Sequence, residues 1–145
     1  MITPDDIVEY ARTWRGTRWK HLGRNERGLD CVGLLYLTAA HFELPGEDMS
    51  SYSRVPRPEL LRHIGKYSDP LRPMVPIHGA IGVFHDTVTP CHTGIFAVDS
   101  KGRVTVIHCD ARRRRCLEEG YEDSSPSLKS RLVDIRLFQQ VDYVV

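Results

Sequence analysis

Gly28-Leu29-Asp30-Cys31-Val32-Gly33-Leu34-Leu35 decides the reading of this 145-residue chain, because it sets a cysteine where a helix is about to begin. Asp30 is a good N-cap, and Val32 to Phe42 are mostly apolar helix formers with no proline or glycine after Gly33. Cys31 then falls in the first helical turn, where unpaired backbone N–H groups and the positive end of the dipole favour a thiolate. Two histidines on later strand-like segments join it: His92 in Cys-His-Thr-Gly-Ile-Phe and His108 in Val-Ile-His-Cys-Asp. A cysteine at a helix start, with two histidines on strands, is the set that nucleophilic amide hydrolysis requires.

The rest of the chain narrows the class. A length of 145 residues suits one domain with a real core, so residues 1–145 are read as a single catalytic unit. A net charge of +1 gives no overall pull toward nucleic acid, and none is expected as a partner. No apolar run approaches the roughly 20 residues that span a bilayer, so no membrane insertion is expected. Met-Ile-Thr-Pro-Asp-Asp lacks the basic and apolar regions of a signal peptide. Synthesis in the cytoplasm, with any export by other machinery, is therefore expected.

Four cysteines (Cys31, Cys91, Cys109 and Cys116) do not suit a disulfide framework in such a chain. Cys91-His92 and His108-Cys109 raise the thought of zinc. Neighbouring residues on a strand point to opposite faces, however, so if the histidines share one face the cysteines share the other. Four ligands cannot then converge, and neither a metal nor another cofactor is expected.

Helices come first. Thr3 can cap a helix with Pro4 at its first position and Asp5 and Asp6 in its first turn, with Ile7, Val8, Ala11 and Trp14 on one face and Gly16 ending it. The Cys31 helix should stop near Phe42, and residues 58–64 read as a short third helix closed by Gly65. Pro70, Pro73 and Pro76 make 66–79 irregular. Strands follow over 80–84, 93–98, 103–107 and 132–138, with 141–145 as a last edge and a polar loop over 111–127. Helices and then an antiparallel sheet make an α+β layout.

Each reactive residue has a plainer reading too. A helix-start cysteine can be a small apolar filler. Against that, Arg12 to Arg27 carries six Lys or Arg residues and one acid, Glu26. That field would lower a nearby thiol pKa and could hold an anionic substrate. A three-residue loop at 99–101 would make His92 and His108 direct cross-strand neighbours, so that His108 orients the His92 ring. Asp110 is a weaker candidate for that role. The run Arg112 to Arg115 is cancelled by Glu118, Glu119, Glu122 and Asp123, which suits a partner-facing loop better than a nucleic-acid site.

Together these segments resemble the NlpC/P60 family of cysteine peptidases, and more narrowly its phage-tail branch. Asp30-Cys31-Val32-Gly33-Leu34 matches the family's nucleophile segment, with the valine of the phage form. Gly16-Thr17-Arg18-Trp19-Lys20-His21-Leu22-Gly23 is similar to its approach motif. His92-Thr93-Gly94-Ile95 matches its base motif, and Ile107-His108-Cys109 its later histidine motif.

The resemblance implies a papain-like α+β fold with the nucleophile helix packed on an antiparallel sheet. It implies hydrolysis of peptidoglycan stem peptides, commonly between γ-D-glutamate and a diamino acid. Cys31 would attack, His92 would take its proton, and His108 would be the third polar residue. The Cys31 backbone N–H would serve as one oxyanion donor. Trp19, Asp30 and Arg18 are expected on the oxyanion and substrate side. Trp19 stands where the family often has tyrosine, and an indole can donate to an oxyanion but cannot exchange protons as a phenol does. Delivery within a phage tail is expected, with tail-tip proteins as partners, loop 111–127 as a surface for them, and action at the host cell wall. Three other readings stay open: a tail-assembly protein with a vestigial site, a thiol acyltransferase or thioesterase of related fold, and a toxin effector.

Overall fold

A computed structural model describes residues 1–49, 52, 58–86, 89–123 and 126–143. Helix α1 (Pro4–Arg12) opens on a capping box: the Asp6 N–H donates to Thr3 Oγ1 (3.2 Å) and the Thr3 N–H to Asp6 Oδ2 (2.9 Å). It buries Ile7, Val8 and Ala11. A two-residue ribbon, β1 (Arg24–Asn25) with β2 (Gly28–Leu29), leads into α2 (Cys31–His41). Helix α2 is apolar nearly all round, as an element packed on several sides must be. It contacts α1 and two strands of the main sheet, β5 and β6. Helix α3 (Pro58–Lys66) follows.

The main sheet is antiparallel, in the order β3-β8-β4-β5-β6-β7. Its strands are β3 (Ser68–Pro70), β4 (Ile81–Asp86), β5 (Thr89–Val98), β6 (Val104–Asp110), β7 (Arg115–Gly120) and β8 (Leu132–Phe138). Both faces are buried. Val83, Ile95, Ile107, Cys109 and Cys116 meet Ile7, Val8 and Leu34 on the helix side. Phe84, Phe96, Val106 and Ile135 meet the loop residues Leu71, Tyr121 and Leu128 on the other.

Several expectations need correction. The proline-containing segment 66–79 is not wholly irregular: β3 pairs with β8 at the sheet margin, where Pro70 removes no needed donor. The supposed loop 111–127 contains β7, whose carboxylates find partners at a distance in sequence. The β5–β6 connection has five residues, since Val98 pairs with Val104, and Asp99 Oδ1 accepts from the Lys101 and Arg103 N–H groups within it. Thr89 and Pro90 belong to β5 rather than to a turn. Helix α1 stops at Arg12 before a turn that reaches Gly16, and α3 runs past Gly65. Val141 bridges Ile2, while residues 144 and 145 of the expected last edge lie outside the described residues.

The outer edge of β7 is occupied at its start. The Gly16 N–H donates to the Cys116 carbonyl (2.8 Å), the Cys116 N–H to the Thr17 carbonyl (2.8 Å), and the Trp19 N–H to the Arg114 carbonyl (2.9 Å). On its other side this segment meets β2, with Leu29 N–H donating to the Arg18 carbonyl (2.9 Å) and Lys20 N–H to the Leu29 carbonyl (3.0 Å). The approach to Cys31 is thus stitched to the sheet one residue before Asp30.

Candidate active site

Cys31 is the first residue of α2 and only 9% exposed. Asp30 before it is 4% exposed, a burial that a carboxylate tolerates only when its lone pairs are used. They are. Oδ1 accepts from the Gly33 N–H (2.8 Å) and Arg24 Nη1 (2.9 Å); Oδ2 accepts from the Leu22 N–H (2.8 Å) and the Tyr52 hydroxyl. Arg24 also reaches Asp48 at 3.0 Å. Burial, followed by the Asp30 contact, raises the Tyr52 phenol, which stays a donor. Asp30 therefore acts as a strut that fixes the start of α2 against the turn before it. Gly33 completes that fit: a Cβ there would lie 2.5 Å from the Gly23 carbonyl oxygen.

The two histidines lie on β5 and β6, His92 beside Phe84 with ring centroids 6.3 Å apart. They are not direct cross-strand neighbours. Continuing the register of Ile95 with Ile107 sets Gly94 opposite His108, and the five-residue loop, being odd, still keeps His92 and His108 on one face. A Cβ on Gly94 would come within 3.1 Å of the His108 Cβ. With no side chain there, His92 reaches past it, and His92 Nε2 lies 2.7 Å from His108 Nδ1. On the far side His108 Nε2 lies 2.6 Å from Glu119 Oε2. Arg113 grips that carboxylate with Nη1 at 2.8 Å from Oε2 and Nη2 at 3.1 Å from Oε1. His92, His108 and Glu119 form a diagonal across β5, β6 and β7.

Burial pushes the His92 imidazole well below the ordinary histidine value, with the charges of His108 and Arg131 acting the same way. Burial also lowers His108, against the opposing pull of Glu119. For Glu119, burial acts upward, but the bonds from Arg113 and His108 prevail and its carboxyl sits below the usual range. At neutral pH the diagonal is two neutral rings ending on a carboxylate.

The Cys31 main chain meets the same strand. Thr93 Oγ1, on the residue after His92, donates to the Cys31 carbonyl (3.3 Å). Trp19 packs against the helix-side core, and Arg18 is exposed while its backbone bridges Arg115. Half the basic field is spent internally: Arg12 and Arg15 pair with Glu118, and Arg24 with Asp30 and Asp48. Asp110 pairs with Arg113 (3.5 Å) and leaves His108 to Glu119. Cys109 faces the helices, its thiol donating to the Leu29 carbonyl (2.8 Å); the Cys91 side chain lies outside the described residues. Among the described residues no group of three His, Cys, Asp or Glu is placed to hold a metal ion. No described helix is long and apolar enough to cross a membrane.

Glu119, Arg113 and Tyr52 were missed by reasoning from sequence. Only the alternation of Cys116 and Glu118 with Leu117 and Glu119 hinted at a strand that could carry a side chain back to His108.

This is the papain-like α+β architecture, with the helix that Cys31 opens packed on an antiparallel sheet. Within it, the chain is similar to NlpC/P60 structures. Against NlpC2 from Trichomonas vaginalis the TM-score is 0.68 at 15% identity, over 93% of this chain and 46% of that one. Against the NlpC/p60 domain of the peptidoglycan hydrolase SagA it is 0.62 at 15% identity, over 94% of this chain and 98% of that domain. The chain thus spans less than half the length of NlpC2. No family model and no curated protein matches the sequence.

Proposed function

We propose that this chain is a cysteine peptidase of the NlpC/P60 type that hydrolyses peptidoglycan stem-peptide amides, with residues 1–145 acting as one catalytic domain. One observation carries the reading: a hydrogen-bonded imidazole pair on β5 and β6 stands beside the residue that ties down the Cys31 carbonyl. SagA, whose domain shares the fold, is named as a peptidoglycan hydrolase.

In this reaction the Cys31 sulfur adds to the amide carbonyl as His92 takes the thiol proton. Burial keeps His92 neutral and so able to accept it. The carbonyl oxygen becomes an oxyanion, and the Cys31 backbone N–H donates to it. Collapse expels the amine, which leaves with the proton from His92, and a thioester remains. Water then adds with His92 as base again, releasing the acid and the thiol. Trp19 and Arg18 are assigned to the substrate side, Arg18 by its exposed charge. Asp30 serves the site by holding the helix start. The bond assigned is that between γ-D-glutamate and a diamino acid. Val32 supports the phage-tail branch, and with it tail-tip partners and action at the host wall.

Purified wild-type and Cys31→Ala protein incubated with sacculi, with released muropeptides read by mass spectrometry, tests this. Fragments released by the wild type alone are expected, and their masses name the bond. Equal release by both proteins, or none from either, refutes the assignment.

A further inference from the structure

We propose that Glu119, itself held by Arg113, is the positioning residue that sets the tautomer of both histidines and leaves Nδ1 of His92 as the basic nitrogen. The inference rests on the assignment of Cys31 and His92 as the reacting pair, and it goes beyond the cysteine and two histidines.

The argument is one of donors and acceptors. An ionised carboxylate only accepts. Glu119 Oε2 lies 2.6 Å from His108 Nε2, so that nitrogen carries the proton. A neutral His108 then has its lone pair on Nδ1. His92 Nε2, 2.7 Å away, must supply the hydrogen. A neutral His92 with its proton on Nε2 has one lone pair left, on Nδ1, and only there can it accept a proton from a thiol. The opposite polarity needs a protonated Glu119, which the two bonds from Arg113 disfavour, or a charged His108, which burial disfavours. The groups facing this line are Arg113 and Asp110 at the β6–β7 turn and Arg131 before β8. Among the described residues, the acceptor that lies against His108 Nε2 is Glu119. The basic run 112–115, otherwise a solvated turn, thereby contributes one residue to the site.

Glu119→Gln removes the constraint at constant shape, because a side-chain amide can donate to His108 Nε2 as readily as accept from it. The readout is long-range proton–nitrogen NMR of histidine-labelled protein, which reports which ring nitrogen is protonated whether or not any substrate is cut. Expected in the wild type is a proton on Nε2 of both His92 and His108; in Glu119→Gln that pattern is lost at His108. Turnover of muropeptides should fall roughly 10–100-fold in kcat at unchanged KM, the range seen when the outer partner of a metal-ligating histidine is removed. Arg113→Met should shift the same signals less.

A wild-type His108 carrying its proton on Nδ1 overturns the proposal without recourse to a variant. So does a Glu119→Gln protein with both tautomers intact. Sacculi left uncut by a wild type with the expected tautomers, and with Cys31 still labelled by an electrophile, would refute the peptidase reading while supporting the histidine relay.

Discussion

Replacing Gly94 by alanine tests whether the empty position opposite His108 is required by space. Strand propensity alone predicts a gain, since glycine inside a regular element costs roughly 0.5–1 kcal/mol relative to alanine. The packing predicts a loss. The added Cβ would sit 2.6 Å from Val106 Cγ1, 3.0 Å from the Ile107 carbonyl oxygen and 3.1 Å from the His108 Cβ. Carbon atoms in contact prefer about 3.5–4.0 Å. The valine methyl must therefore retreat by roughly 1 Å and the backbone of β6 by a few tenths. Val106 is fully buried, so it has no room to swing aside. Overpacking of this kind costs about 1–3 kcal/mol, which outweighs the propensity gain. For 145 residues the unfolding entropy is near 0.3 kcal/mol per degree, so with the propensity gain subtracted the melting temperature should drop by up to about 8 °C. Displacing His108 also stretches both bonds of the diagonal, and misplacement of about 1 Å can cost on the order of 100-fold in turnover. Calorimetry and muropeptide turnover on the same preparation provide the assay. A variant that melts at or above the wild-type temperature, with full turnover, refutes the reasoning.

Asp30→Asn keeps the shape but breaks the buried pair with Arg24 and turns an amide toward donors at Leu22 and Tyr52; a loss of about 3–5 kcal/mol is expected in the urea midpoint, and a change under about 0.5 kcal/mol counts against the strut role. Both histidines of the diagonal are depressed by burial, so the unfolded chain binds more protons below pH about 6.5. Stability is then full above that pH and declines as pH falls from it toward the folded pKa values. Urea midpoints at pH 5 and 7 should show the decline, and His92→Phe should flatten it; equal slopes would be inconsistent. Glu118→Gln weakens the tie of Arg12, Arg15 and Thr105 to β7 and should cost about 1–2 kcal/mol by urea titration, whereas an unchanged midpoint would make those contacts idle.

What could be read from sequence followed from local chemistry. Asp30 as cap, Cys31 at the helix start, and the apolar runs that became β4, β5 and β8 all announce themselves within a few residues. So does the shared face of His92 and His108, because any odd loop preserves it. Strand β7 did not. Its charges suggested a solvated loop, since Glu118 is matched by Arg12, 106 positions away, and Glu119 by His108 across a strand pair. Those pairings depend on register, and register depends on the length of the 99–103 loop. The shortage of apolar residues in β7 is offset by carboxylates that the rest of the molecule neutralises, a long-range property that periodicity cannot register. Tyr52 was hidden for a similar reason: its hydroxyl reaches Asp30 from 22 positions downstream through a polar stretch with no periodic signal.

The approach segment laid along β7 also governs how this sheet can meet other chains. Residues 16–19 take up backbone groups of Arg114 and Cys116 at that margin, and the opposite margin is a three-residue strand ending in Pro70. Neither end offers a long row of free N–H and C=O groups. Such margins favour holding an extended peptide by side chains and by the start of α2 over adding it as a seventh strand. The same closure guards against copies of this domain zipping together edge to edge, so that many could be carried close together without their sheets merging.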